Sequence, residues 1–229
     1  MIKHYIKIAI RNLVKQKGLA FINLAGLSIG LACFILFLLY TINEFSFDRF
    51  HANAANIFRI YRWTGAMNGE EAHRDSYMPM PMGPAMKQEF PDVENYVRIK
   101  EAWGKNFIKA EGKTSREEVV YADPQVMDVF SFKLKAGDLK NPLGDPHNVV
   151  LTEETVKRLF GQTNPIGKRL EIKVDDIFEP FVVSAIAENL PVNSSIQFKL
   201  LGSFHYFENS EGGKWAKDSW TRSGFQTYV

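Results

Sequence analysis

The chain has 229 residues, 45% of them apolar, and a mean hydropathy of −0.19, which suits one sizeable soluble core and excludes a protein built mainly of membrane helices. The formal charge of +2 is unevenly placed: Lys3, Lys7, Arg11, Lys15 and Lys17 put +5 into the first 17 residues without a compensating acid, leaving −3 over the rest. A basic patch for nucleic acid is thereby excluded from the folded part, and membrane lipid is the expected partner of the basic end.

Residues 1–17 read as a cytosolic basic amphipathic helix. At about 100° per residue, Ile2, Tyr5, Ile6, Ala9 and Leu13 gather on one side, with the basic stripe Lys3, Lys7, Arg11 and Lys15 opposite. That pattern fits a helix lying in the headgroup region of a bilayer. Residues 18–40, GLAFINLAGLSIGLACFILFLLY, carry no charge over 23 positions and predict a transmembrane helix. A cleaved signal peptide has a shorter apolar region of about 7 to 15 residues, closed by a small-residue site. Here Thr41-Ile42-Asn43-Glu44-Phe45 follows instead. The excess of lysine and arginine before the span predicts a cytosolic amino terminus. Gly26 and Gly30 make a small-x-x-x-small pair, a candidate helix-packing face. Cys33, the only cysteine, lies inside this stretch, so no intrachain disulfide or cysteine-based zinc site can form.

Residues 41–229 read as one domain of short mixed elements. Phe58 to Trp63, Val97 to Ile99, Asn106 to Ala110 and Val119 to Tyr121 are candidate strands, and a helix is expected between Gly83 and Phe90, stopped by Pro91. Asn148 to Leu151 predicts a strand, followed by Thr152 as helix N-cap with Glu153 and Glu154 in the first turn. That helix should end at Phe160-Gly161. Asn164-Pro165-Ile166-Gly167 then predicts a turn into a strand from Lys168 to Val174. Phe181 to Ala187 and Ile196 to Phe204 are further expected strands, the second after the turn Asn193-Ser194-Ser195. That turn also matches a glycosylation acceptor, a pattern too short to be specific.

Few residues suggest chemistry. Gly161 to Lys168 (GQTNPIGK) imitates a phosphate-binding loop, but five residues separate its glycines and Arg169 replaces the serine or threonine that would hold magnesium. A turn is therefore expected, and nucleotide hydrolysis is not. His4, His51, His73, His147 and His205 lack the i, i+4 spacing of a helical metal pair, and neither G-x-S-x-G nor H-E-x-x-H occurs. The acidic pairs Glu70-Glu71 and Asp175-Asp176 read as solvated surface. Met67, Met78, Met80, Met82, Met86 and Met127 raise the question of copper(I), which soft thioethers bind. Packing of an adaptable apolar surface is the expected role. No catalytic residue, cofactor or metal site is assigned.

The opening IKIAIRNLVKQKGLAFINLAGLSIGLACFILFLLY and the following EFSFDRFHANAANIFRIYR resemble the start of MacB/FtsX-type ABC transporter permeases. YADPQVMDVFSFKLKAGD, NVVLTEETVKRLFGQTNPIGKRLEI and FVVSAIAENLPVNSSIQFKLLGSF resemble the MacB-like periplasmic core domain, in that family's usual order. The fold implied is α+β: an amino-terminal amphipathic helix and one transmembrane helix, followed by a mixed α/β periplasmic core domain over residues 41–229. Three further helices are implied beyond Val229, so the chain is expected to be an incomplete permease of the bacterial inner membrane.

The resemblance implies a cytosolic ABC ATPase, separate or fused, and a second permease copy as partners, with a periplasmic adaptor or outer-membrane partner as a further candidate. Coupling would resemble mechanotransmission, in which ATP-driven dimerisation is relayed through the membrane to the periplasm, for export or extraction of a lipophilic or peptide substrate. The alternative is a membrane-anchored periplasmic signalling or scaffold protein that passes conformational change to a periplasmic partner. An anchored enzyme is the weakest reading, because no reactive constellation is visible.

Overall fold

The computed structural model describes residues 2–65, 72–101, 104–174 and 176–229 and divides into two compact units, Met1–Phe47 and Asp48–Val229. The first unit holds two helices, α1 (Ile2–Lys15) and α2 (Lys17–Phe45). Lys7, Arg11 and Lys15 are exposed on α1, and Lys3 belongs to the same helix. By length and composition α2 is sufficient to cross a membrane. It outruns the apolar stretch read from sequence by five residues at its carboxy end, because Thr41–Phe45 continue the helical hydrogen bonding. The Thr41 hydroxyl donates to the Phe37 carbonyl at 2.8 Å, and Ser46 closes the last turn by donating from both N–H and Oγ to the Asn43 carbonyl. At 1.5 Å per residue the 29-residue helix is about 44 Å long, against a hydrocarbon core of about 30 Å.

The second unit begins with a short 3₁₀ turn, Ala54–Asn56, then β1 (Arg62–Thr64), β2 (His73–Asp75), β3 (Met78–Pro79) and α3 (Met82–Glu89). Next come β4 (Val97–Glu101), β5 (Asn106–Ala110), β6 (Lys113–Glu117), β7 (Val119–Ala122), α4 (Val126–Val129) and β8 (Leu134–Gly137). The chain continues with β9 (Asn148–Thr152), α5 (Glu153–Phe160), β10 (Arg169–Val174), β11 (Ile177–Ala187) and β12 (Leu200–Ser203). It closes with α6 (Phe204–Asn209), α7 (Glu211–Lys214) and β13 (Ser223–Tyr228).

Among the described residues, one large mixed sheet runs β3-β13-β4-β7-β12-β9-β11-β10-β5-β6, with β8 paired to β11, while β1 and β2 form a separate hairpin. The middle strands are buried on both faces and read as continuous apolar runs. Val119, Tyr121, Val149, Leu151 and Leu200 point into one core with Leu159 and Phe160 of α5. Val120, Ala122, Val150 and Leu201 point into the opposite core with Phe130, Phe132 and Phe198. In β11, Phe181 and Val183 face the first core but Ala185 and Ala187 the second. Residues of equal parity change sides because the pairing of β11 with β9 slips between Val183 and Ala185, a bulge that shifts the pleat by one residue. Pro180 lies opposite Glu171 of β10, ahead of the point where β9 begins to pair at Val182, so its missing N–H breaks no bond to β9.

Two local expectations change. Thr152 stands at the N-cap of α5, but its hydroxyl bonds the Thr155 hydroxyl at 2.9 Å, and Asn189 Oδ1 instead accepts from the Glu154 N–H at 3.0 Å. The strand expected over Ile196 to Phe204 shortens to β12. Ile196 and Phe198 are buried alternately with exposed or half-buried neighbours, but ladder pairing starts only at Leu200, opposite Val119, and Phe204 opens α6.

Candidate functional site

The residues that follow α2 in the chain, Asp48 to Tyr61, are fastened to three distant parts of the second unit. Asp48 takes a left-handed backbone conformation (φ 56°), one that aspartate tolerates better than most residues. Its N–H donates to the Asn193 carbonyl at 2.9 Å and its Oδ1 accepts the Ser195 N–H at 2.8 Å. The Asn193-Ser194-Ser195 turn is therefore a docking point for this segment.

His51 is 4% exposed and fixes the second attachment. Its Nδ1 accepts the Ser131 N–H at 3.1 Å, while the Ser131 hydroxyl accepts the Ala52 N–H at 2.8 Å. The imidazole packs against Phe50, Phe130 and Phe132, with ring centroids 4.0, 5.1 and 5.2 Å away. Burial lowers the His51 pKa below its ordinary 6.5, and the negative charge of Asp48 opposes this only in part.

The third attachment is to the last strand. Phe58 and Val229 exchange both backbone hydrogen bonds, at 2.8 and 2.9 Å, and the Ile60 N–H donates to the Thr227 carbonyl at 2.9 Å. The strand expected over Phe58 to Trp63 is thus divided: Phe58 to Ile60 clasp β13, and Arg62 to Thr64 turn into the β1–β2 hairpin. Arg59, opposite Tyr228, holds its guanidinium 5.6 Å from the Tyr61 ring centroid and 5.9 Å from that of Tyr228. Tyr228 is 5% exposed and its hydroxyl donates to Gln226 Oε1 at 3.1 Å. Burial pushes its pKa up to about 12. Asp48, His51, Arg59, Tyr61, Phe130 and Tyr228 line a cavity of about 270 Å³ within this clasp.

The residues singled out from sequence lie elsewhere. Gly26 and Gly30 are exposed on α2, and the basic stripe belongs to α1. Met78 and Met80 are fully buried packing residues, and Met67 lies outside the described residues. Gly161 to Lys168 is a turn: Gly161 ends α5 at φ 64°, and Lys168 binds Glu111 at 2.6 Å. Glu70, Glu71 and Asp175 lie outside the described residues, while Asp176 pairs with Lys173 at 2.7 Å in the β10–β11 hairpin. Among the described residues, no group of three or more His, Cys, Asp or Glu side chains could hold a metal ion. Sequence reasoning missed Asp48, His51, Arg59, Ser131, Ser195 and Tyr228. The signals were the resemblance blocks that contain them, EFSFDRFHANAANIFRIYR for Asp48, His51 and Arg59, YADPQVMDVFSFKLKAGD for Ser131 and FVVSAIAENLPVNSSIQFKLLGSF for Ser195, while Tyr228 lies in none of these blocks.

The family model for the MacB-like periplasmic core domain matches residues 20–228. Solved structures with a similar fold include a domain of a permease protein from Porphyromonas gingivalis, 23% identical with a TM-score of 0.65, over 78% of this chain and 74% of that one. The periplasmic region of MacB from Actinobacillus actinomycetemcomitans is 18% identical with a TM-score of 0.53, over 76% of this chain and 73% of that one. The extracellular domain of the ABC-type transporter YknZ from Gram-positive bacteria is 12% identical with a TM-score of 0.53, over 76% and 83%. At these identities the likeness is one of fold. No curated protein matches the chain.

Proposed function

This chain belongs to the family of MacB-like periplasmic core domains of ABC-type permeases, and from that membership we propose that it relays motion driven by a cytosolic ABC ATPase to the periplasm, for export or extraction of a lipophilic or peptide substrate. The family is one of transporter permeases rather than catalytic enzymes, and it implies an ABC ATPase partner and dimerisation. In this reading α1 rests on the cytosolic leaflet of the inner membrane through Lys3, Lys7, Arg11 and Lys15, α2 spans the bilayer, and residues 48–229 work in the periplasm.

The observation that carries the reading is the reciprocal pair of hydrogen bonds between Phe58 and Val229. It ties the segment that follows the apolar helix directly to β13, which also pairs with β3 and β4 at one end of the large sheet. A pull on residues 48–60 is thus delivered to the sheet through backbone hydrogen bonds, not dissipated in a loop.

The test is hydrogen exchange on the protein co-reconstituted with a candidate ABC ATPase partner. Trapping the ATPase in its ATP-bound state should change protection of the Phe58, Ile60 and Val229 amides relative to the nucleotide-free complex. Equal protection in both states, with ATP hydrolysis intact, would remove the relay. A stable complex with a periplasmic hydrolase, formed without any transport, would favour the signalling alternative.

A further inference from the structure

The β1–β2 hairpin has two unlike faces. Directly opposed residues of an antiparallel pair project to the same side, and successive residues of a strand to opposite sides. Arg62 and Asp75 are opposed and neutralise each other at 2.8 Å, and Thr64 and His73 share their face. Trp63 and Arg74 are opposed on the other face, where the guanidinium sits 5.6 Å from the indole ring centroid. Among the described residues Arg74 pairs with no carboxylate. It is exposed, as is Trp63, at 63%, and Tyr61, two residues earlier, at 55%. Exposed tyrosine and tryptophan beside an unneutralised arginine suit the headgroup layer of a bilayer, where amphipathic rings gather and a guanidinium reaches lipid phosphate.

The course of the chain says what is within reach of this face. Thr41–Phe45 carry α2 about 7.5 Å past Tyr40, where the apolar stretch ends. The polar layer on each side of a bilayer is about 5–7 Å deep, so a spanning α2 ends in or near it. Asp48 follows Phe45 by three positions, at most about 11 Å of extended chain. Asp48 and Tyr61 line the same cavity, so Tyr61 stands no more than a cavity's width from the point where the chain is moored. Lipid is therefore close to this face in every molecule, whereas a second copy must first be recruited. An isologous contact would also bring Arg74 towards its own counterpart.

We propose that the Trp63 and Arg74 face of the hairpin, with Tyr61 beside it, docks on the headgroup layer of the leaflet into which α2 emerges. The rings settle among the headgroups, and Arg74 binds lipid phosphate. The docking braces the clasp between the incoming segment and β13 against the membrane. It rests on α2 spanning the bilayer, as inferred above, and not on the ATP-driven relay.

The experiment is tryptophan fluorescence of the full chain in proteoliposomes containing phosphatidylglycerol, with and without lipids brominated near the headgroup end of their acyl chains, which quench indole on contact. Trp63→Phe should remove most of the quenching seen in the unmodified protein, with near-UV circular dichroism checking that the fold is kept. Arg74→Glu, which retains Trp63, should cut the quenching by about half or more, since it sets a carboxylate against the phosphates. Equal quenching of the unmodified protein and Trp63→Phe would overturn the proposal. So would a Trp63 that is shielded from water but unquenched, and that becomes exposed when the protein is diluted in lipid, because a second copy would then cover the face. Cys33 separates these outcomes from failure of the span, since its thiol, within a spanning α2, escapes a membrane-impermeant maleimide. Labelled Cys33 would remove the span and the docking with it; protected Cys33 with unquenched Trp63 would remove the docking alone.

Discussion

Arg98 of β4 and Asp123, the residue after β7, are joined by four hydrogen bonds inside the protein. Nη2 donates to Oδ1 at 2.8 Å and Nε to Oδ2 at 2.9 Å, while the Arg98 N–H reaches the same Oδ2 at 2.7 Å and the Asp123 N–H reaches the Arg98 carbonyl at 3.2 Å. Both side chains are at most 5% exposed. The guanidinium also sits 4.1 Å from the Phe204 ring centroid and 3.7 Å from Glu208, so β4, β7 and α6 converge on one cation.

Removing one partner strands the other. Asp123→Ala leaves a buried guanidinium with only the more distant Glu208 to balance it, and the loss should be about 3–5 kcal/mol. Replacing both, Arg98→Met with Asp123→Leu, removes the charge and should recover much of that loss. Thermal unfolding of the detergent-solubilised chain distinguishes the two: a double variant no more stable than Asp123→Ala would mean that the hydrogen bonds, not the buried charge, dominate.

Gly137 should resist substitution more than Gly112. Gly137 ends β8 at φ 93°, and an added Cβ would meet the Ser184 carbonyl oxygen and Ala185 Cα on the bulged strand β11. Gly112, at φ 72° in the β5–β6 hairpin beside Glu111 at φ 48°, has nothing within 4 Å of such a Cβ. Gly112→Ala then costs only the strained backbone, about 1 kcal/mol, whereas Gly137→Ala adds a backbone collision and should cost about 3 kcal/mol or more. Chemical denaturation of the two single variants gives the order.

His51 predicts a pH dependence. Its pKa in the folded protein lies below the unfolded value of 6.5, because burial among Phe50, Phe130 and Phe132 opposes charging more than Asp48 favours it. The unfolded chain therefore binds a proton first as pH falls. Stability is fully present above pH 6.5 and declines below it, until the folded imidazole also titrates. His51→Gln should flatten the decline between pH 6.5 and the carboxylate range, measured as unfolding free energy against pH. An unchanged slope would assign the pH dependence to other groups.

Much of the strand inventory was legible because it depends on local pattern. Asn106–Ala110 matches its expected limits, and the Asn164–Gly167 turn forms with Gly167 at φ 78°. Alternation at Ile196 and Phe198 reported burial correctly but could not say where a ladder partner begins, since that is set by Val119 on another strand. The clasp was illegible for the same reason on a larger scale. Phe58 meets Val229, Asp48 meets Ser195 and His51 meets Ser131, pairings between residues 80 or more positions apart that no spacing rule encodes. Arg98 and Asp123 look like ordinary surface charges in sequence and become buried only because α6 closes over them.

The glycines of α2 separate intrachain from intermolecular roles. Gly26 and Gly30 are one turn apart, exposed, and a Cβ at either would meet nothing within 4 Å among the described residues. Neither glycine is therefore required by the fold of the described chain, and replacing glycine inside a helix by leucine should favour the helix by somewhat under about 1 kcal/mol each. Gly26→Leu with Gly30→Leu should accordingly leave helix content and unfolding of the second unit unchanged, while weakening close approach by another membrane helix. Crosslinking in native membranes reads that association. A drop in crosslinked dimer with unaltered circular dichroism would place a packing face at these two positions; undiminished crosslinking would make them ordinary glycines of a membrane helix.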